Sequence, residues 1–170
     1  MTALVADTSA LVSLGTAVGH DPNPLDLCFD IYDVHVPQRV SDDLRKIASY
    51  DDVHADAATA VLDRDDAVSV TAVTLDADFP LDDGENAAVT LANDLEAALF
   101  LCDEFNSLGL VHASLADTRL VTTPTLLSVF VRNDQLSSTD ALAILDSISD
   151  GRSWETNSYV KRARTLLNDT

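Results

Sequence analysis

The chain has 170 residues, 46% of them hydrophobic, which is enough for one domain with a full core and too apolar for a disordered acidic tail. It carries 29 Asp and Glu against 10 Lys and Arg, a formal charge of −19 spread along its length; such a solvated acidic surface suits high salt and points to a haloarchaeal origin, and it removes net charge as a ground for excluding a nucleic-acid substrate. No apolar run approaches the roughly 20 residues of a membrane span, no basic segment precedes an apolar stretch at the N-terminus, and Cys28 and Cys102 follow no metal-ligand spacing, so the expectation is a cytoplasmic chain without secretory signal, disulfide framework or structural zinc.

Residues 2–6 predict a short buried strand that runs straight into Asp7. The stretch TSALVSLGTAV then predicts a helix capped by the hydroxyl of Thr8 or Ser9. DPNPLDL (21–27) reads as a turn that starts another helical piece. DVHVP (33–37) alternates apolar and polar residues and predicts a second strand, and its Pro37 suits a helix start. Val40, Leu44 and Ile47 keep helical spacing through QRVSDDLRKIASY, and residues 53–63 predict a further helix. AVSVTAV (67–73) is β-branched and predicts a strand. DDGE is a turn and helix start with acids near the N-terminal dipole, NAAVTLANDL is helical, and AALFLC is an apolar strand that ends at Asp103-Glu104. RLVTTP (119–124) predicts a last short strand, and three helices follow at about 124–132, 138–149 and 153–167. Short apolar strands alternating with helices imply an α/β fold: a doubly wound parallel sheet of about four or five strands, covered on both faces.

Asp7 and Asp103 share one placement, the C-terminal end of an apolar strand, where open α/β sheets bind ligands. Asp43 lies in the helix after the second strand, and Glu85 lies in the first turn of the helix before the AALFLC strand. Each acid alone has an ordinary explanation. Asp7 can cap a helix, Asp43 can sit on the surface beside Asp42, Glu85 can favour a helix dipole, and Asp103 and Glu104 can cap. Together they predict a carboxylate cluster that repels itself without a cation. All-oxygen ligation suits Mg²⁺ or Mn²⁺, and such ions promote displacement at phosphorus. Other chemistries find little: five glycines form no phosphate loop, His20, His35, His54 and His112 show no metal-binding spacing, and there is no serine elbow. Asp7 also lacks the second Asp of aspartyl-phosphatases, and no Lys stands as the partner a phospho-receiver needs.

At these residues the chain resembles the PIN-domain ribonucleases. VADTSALVSL is similar to their opening strand and Asp motif, VHVPQRVSDDL to their strand-Pro-helix segment, and LDDGENAAVTLA to the Gly-Glu-x-x-Ala helix start of one branch. LFLCDEF resembles the strand ending in paired acids, and TTPTLLSVFVRNDQLS resembles the helix after the last strand, so the likeness runs from residue 2 to about 136 in the right order. The resemblance implies a single PIN-like domain over 1–170 with a C-terminal helical extension at about 137–170. It implies a Mg²⁺- or Mn²⁺-dependent endoribonuclease acting on RNA, similar to VapC toxins, with an antitoxin protein and a homodimer as expected partners. Asp7, Asp43, Glu85 and Asp103 would be the catalytic acids, with Asp7, Glu85 and Asp103 on the metal. Ser9 would support Asp7, and Glu104 or Asp117 would be a peripheral acid.

Two departures from the pattern stand out. Asp43 replaces the usual Glu, and DEFNSLG lacks the basic residue that often follows the paired acids. The rivals are a non-catalytic PIN-like protein that binds nucleic acid or a partner, and a different Mg²⁺-dependent phosphoryl-transfer enzyme. Four of the ten basic residues, Arg152, Lys161, Arg162 and Arg164, gather in the final segment with Trp154 and Tyr159. Arg152, Lys161 and Arg164 are candidate nucleic-acid contacts, although the aromatics also suit docking anchors for a terminal helix.

Overall fold

The computed structural model describes residues 1–169. Its strands are β1 (Thr2–Ala6), β2 (Tyr32–Pro37), β3 (Val68–Thr71), β4 (Leu99–Leu101) and β5 (Arg119–Val121). Between β1 and β4 lie α1 (Thr8–Gly15), α2 (Pro24–Ile31), α3 (Gln38–Ala48), α4 (Val53–Leu62) and α5 (Asp83–Leu95). After β4 come α6 (Leu108–Ser114), α7 (Thr123–Arg132), α8 (Ser138–Arg152) and α9 (Ser158–Asn168).

All five strands are parallel, in the order β3-β2-β1-β4-β5. The chain winds outward from β1 in one direction, then crosses back to β4 and winds in the other. The fold is therefore the expected doubly wound α/β type, with its switch point between β1 and β4. The register sets Leu4 beside Leu99, Val5 beside Phe100 and Ala6 beside Leu101. Side chains alternate across the sheet, and so do the two cores. Leu4, Ala6 and Leu101 join the larger cluster with α1, α2, α3, α4, α7, α8 and α9. Val5, Phe100 and Cys102 join the smaller one under α5 and α6.

The abundance of Asp has a local use. Asp7, Asp52 and Asp82 cap α1, α4 and α5, each accepting from a free N–H of the first turn. α1 and α4 cross so closely that a Cβ on Gly15 would lie 2.4 Å from the Ala57 carbonyl oxygen. No helix among the described residues is long and apolar enough to cross a membrane.

The elements depart from the sequence expectation in three places. α1 is capped by Asp7 and not by the hydroxyl of Thr8 or Ser9. LGLVHAS forms the short helix α6, which has no strong periodicity or cap to announce it. The boundary between the last two helices is shifted: the helix expected to end near 149 continues to Arg152, and the one expected from 153 begins at Ser158. α8 runs to Arg152, Ser153 turns into the left-handed region at φ 58°, and the Trp154 N–H closes back on the Ser149 carbonyl. Asn157 then caps α9, accepting from the N–H groups of Tyr159 and Val160. Gly151 lies inside the last turn of α8, and the stop itself is made by Ser153 and Asn157.

Candidate active site

The register of the central strands decides what meets at their ends. The Asp7 N–H donates to the Leu101 carbonyl, 3.1 Å away, which extends the β1–β4 ladder and sets Asp7 beside Cys102. Both side chains belong to the α5 face of the sheet. Alternation then sends Asp103 to the opposite face and returns Glu104 to the α5 face.

Asp7 is buried, and each of its carboxylate oxygens is engaged. Oδ1 accepts from the Ser9 hydroxyl at 2.7 Å and from the Ala10 N–H at 3.0 Å, and Oδ2 accepts from the Cys102 thiol at 3.0 Å. Burial pushes its pKa up to about 7 against the pull of Cys102, Ala10 and Ser9, with a small further push from Asp103. The neighbouring carboxylate in turn drives the Cys102 thiol up, beyond what burial alone does, so the thiol stays protonated and donates.

From the α5 side come Asp82 and Glu85. Asp82 Oδ1 accepts from the Glu85 N–H at 2.8 Å, fixing the first turn of the helix. The Glu85 side chain is buried, and burial raises its pKa; negative charge on Asp82 and Glu104 adds to this, while a hydrogen bond from Ser107 opposes it. From α3 comes Asp43, whose Oδ2 accepts from the Thr8 hydroxyl at 3.4 Å. Gly84 allows this approach, since a Cβ there would lie 3.3 Å from Asp43 Oδ2. These groups and Glu104 line one pocket of about 100 Å³ with Thr8 and Ser9. Five carboxylates thus face the same small space, and no Lys or Arg shares its lining.

Of the acids expected from the sequence, Asp7, Asp43 and Glu85 line this pocket and Asp103 does not. Asp103 is buried behind it. Its N–H donates to Ser9 Oγ at 3.0 Å, and its Oδ1 accepts from the Thr123 N–H at 2.7 Å, at the start of α7. Oδ2 is buried with no hydrogen-bond partner among the described residues. Burial raises its pKa, opposed by Thr123, Ser13 and the positive charge of Arg152. Glu104, expected as a supporting acid, occupies the pocket wall instead. Ser9 joins the two strand ends, donating to Asp7 and accepting from the Asp103 N–H. Asp82 was not foreseen, since a capping Asp in so acidic a chain carries no further signal.

The basic C-terminal segment is divided by the turn at Ser153. Arg152 ends α8 and lines a neighbouring cavity to which Glu104 also contributes. Arg164 pairs with Asp146, and Lys161 is exposed on α9. Trp154 is buried, with its ring edge-on to Phe105 at 5.0 Å, and Tyr159 stacks on the same Phe105 at 5.3 Å. The aromatics dock the terminal segment onto the body.

As the side chains stand, no three His, Cys, Asp or Glu groups among the described residues converge as a ready ligand set. Their chemistry nonetheless fits a hard divalent ion, being all oxygen and all acidic, and the pocket has room for an ion with a few waters at about 30 Å³ each. A scan of the sequence against protein-family models finds no match, and a search of curated proteins finds no significant match.

Proposed function

We propose that this chain is a Mg²⁺- or Mn²⁺-dependent endoribonuclease of the PIN type, hydrolysing RNA phosphodiester bonds. The observation that carries the reading is the gathering of Asp7, Asp43, Asp82, Glu85 and Glu104 around one pocket at the switch point of a parallel sheet. Asp7, Asp43 and Glu85 would hold a divalent ion there, which would supply charge for the phosphate and lower the pKa of a water. The protein's own groups orient the donors. Ser9 and the Ala10 N–H fix Asp7, Thr8 steers Asp43, and the Asp82 cap holds the helix start that presents Glu85. Without a cation Asp7 retains its proton up to about pH 7, so metal affinity rises with pH through neutrality.

A toxin role, an antitoxin partner and a homodimer belong to the same proposal and rest on the PIN resemblance. The rival, a non-catalytic binder, is favoured by the missing basic residue after Asp103-Glu104 and by the acidic surface. Arg152, which lines the adjoining cavity with Glu104, supplies a basic group from another part of the chain and weakens the first of these. The test is cleavage of single-stranded RNA in molar KCl with Mn²⁺. Wild type is expected to cleave, and Asp7→Asn or removal of Mn²⁺ to abolish it. Equal cleavage by the Asp7→Asn chain overturns the reading.

A further inference from the structure

A second cavity, of about 340 Å³, opens beside the acid pocket and shares Thr8, Ser9 and Glu104 with it. Its size lies within the roughly 300–1,000 Å³ of small-ligand sites. Val12 and Ile47 give it apolar surface, Tyr50 adds a ring that is 55% exposed, and Arg152 is the one Lys or Arg in its lining. Four of the ten basic residues, Arg39, Arg45, Arg64 and Arg164, are held in ion pairs; Arg152 is in none among the described residues. Its backbone is nevertheless fixed. The His54 Nε2–H donates to the Gly151 carbonyl at 3.0 Å, tying the end of α8 to α4. The acid Asp52, also in the lining, has Oδ1 committed to the Ala55 N–H at 2.8 Å as the α4 cap.

A cation, an aromatic face and an apolar surface together match a nucleotide, with its phosphate, base and sugar. We propose that this cavity is a nucleotide subsite for single-stranded RNA, in which Arg152 takes the phosphodiester next to the scissile one and Tyr50 stacks on its base. The inference rests on the nuclease reading and names how the substrate is held. Only an unpaired strand presents a base free to stack, so a duplex is refused. The two cavities share Thr8, Ser9 and Glu104 in their walls, so a strand seated on Arg152 would lie next to the acid pocket. The site also answers how so acidic a protein grips RNA: one guanidinium that is in no ion pair among the described residues, although its charge also acts on buried Asp103, and stacking that salt does not screen.

The experiment measures binding of a labelled single-stranded hexaribonucleotide to the catalytically silent Asp7→Asn chain across a KCl series, and Mn²⁺ binding to wild type and to each variant by calorimetry. Arg152→Gln is expected to weaken RNA about tenfold and to reduce the slope of log affinity against log salt by about 0.7. Tyr50→Ala is expected to lose on the order of tenfold, and Tyr50→Phe to restore it. Mn²⁺ binding is expected to be retained in the Tyr50 variants, and retained or tightened in Arg152→Gln, which removes a positive charge near the acids. RNA affinity unchanged in both Arg152→Gln and Tyr50→Ala, with normal Mn²⁺ binding, overturns the subsite and leaves the nuclease reading standing. A silent chain that binds no RNA while wild type binds Mn²⁺ does the same. A wild type that binds no Mn²⁺ overturns the nuclease reading and the subsite with it.

Discussion

Asp7 and Asp103 are both buried carboxylates at the ends of the two central strands, and they are tied to each other through Ser9. Asp7 opens onto the acid pocket, with donors that position it and leave it facing the other acids. Asp103 turns to the far face of the sheet and spends one oxygen on the first turn of α7. The offset is a single residue of register. Asp7 lies one step past Ala6, while Asp103 lies two steps past Leu101, the partner of Ala6. Burial and a raised pKa are common to both, so neither marks the functional acid. What separates them is the face, which decides whether the charge meets other carboxylates or a backbone amide.

Activity separates them most. Asp7→Asn is expected to lower RNA cleavage about 10³-fold or more, as loss of one member of a cooperating group does. Asp103→Asn keeps an acceptor for the Thr123 N–H and is expected to stay within about tenfold of wild type. A folded Asp103→Asn chain as inactive as Asp7→Asn breaks the distinction.

Stability against pH sharpens it. The ordinary pKa of Asp is 3.8 and folding raises that of Asp7 to about 7, so between these values the folded chain keeps a proton that the unfolded chain has released. Stability falls as pH rises across that window, by as much as roughly 4 kcal/mol if no cation is bound, and levels off above it. The Asp7→Asn chain is expected to lack this portion of the fall in urea titrations taken at successive pH values. Parallel curves for the two chains would assign the pH dependence to the other acids.

The next effect is smaller and falls on the other strand end. Asp103→Ala strands the Thr123 N–H at the start of α7 and is expected to cost about 1–3 kcal/mol, read as a lower urea midpoint at unchanged slope. The smallest concerns Ser9. Ser9→Ala removes the hydroxyl that donates to the Asp7 carboxylate and accepts from the Asp103 N–H, with an expected loss of about 1 kcal/mol. Because the Ser9 hydrogen bond lowers the Asp7 pKa, its removal moves the pH window upward. Loss of stability with no movement of that window would mean that Ser9 serves only the Asp103 side.

Much of the fold is legible in the sequence. Apolar runs mark the strands, and helical spacing with Asp, Asn, Ser and Thr caps marks most helices. The alternation of elements gives the parallel sheet. The strand order and register are not local properties, and the face taken by Asp103 and Glu104 depends on them. For this reason LFLCDEF offers two acids and no means of choosing between them. Arg152, Lys161 and Arg164 look like one basic stretch, but the left-handed Ser153 separates the first from the others. Asp82 and Arg152 become visible as site residues only when α5 and α8 are brought to the strand ends.

The uneven covering of the sheet has a consequence in time. One wall of the acid pocket, carrying Asp82, Gly84 and Glu85, belongs to the α5 layer, which holds the sheet through the smaller cluster around Val5 and Phe100. The opposite wall belongs to the body built by α1, α3, α7 and α8. The site is a seam between a thick layer and a thin one, and it lasts as long as the thin layer stays down. Peeling of α5 dismantles the pocket while the larger core remains folded. Amide exchange through openings smaller than global unfolding is therefore expected in α5 and α6 and not in α7 and α8; uniform exchange across all four would mean that the two layers open as one.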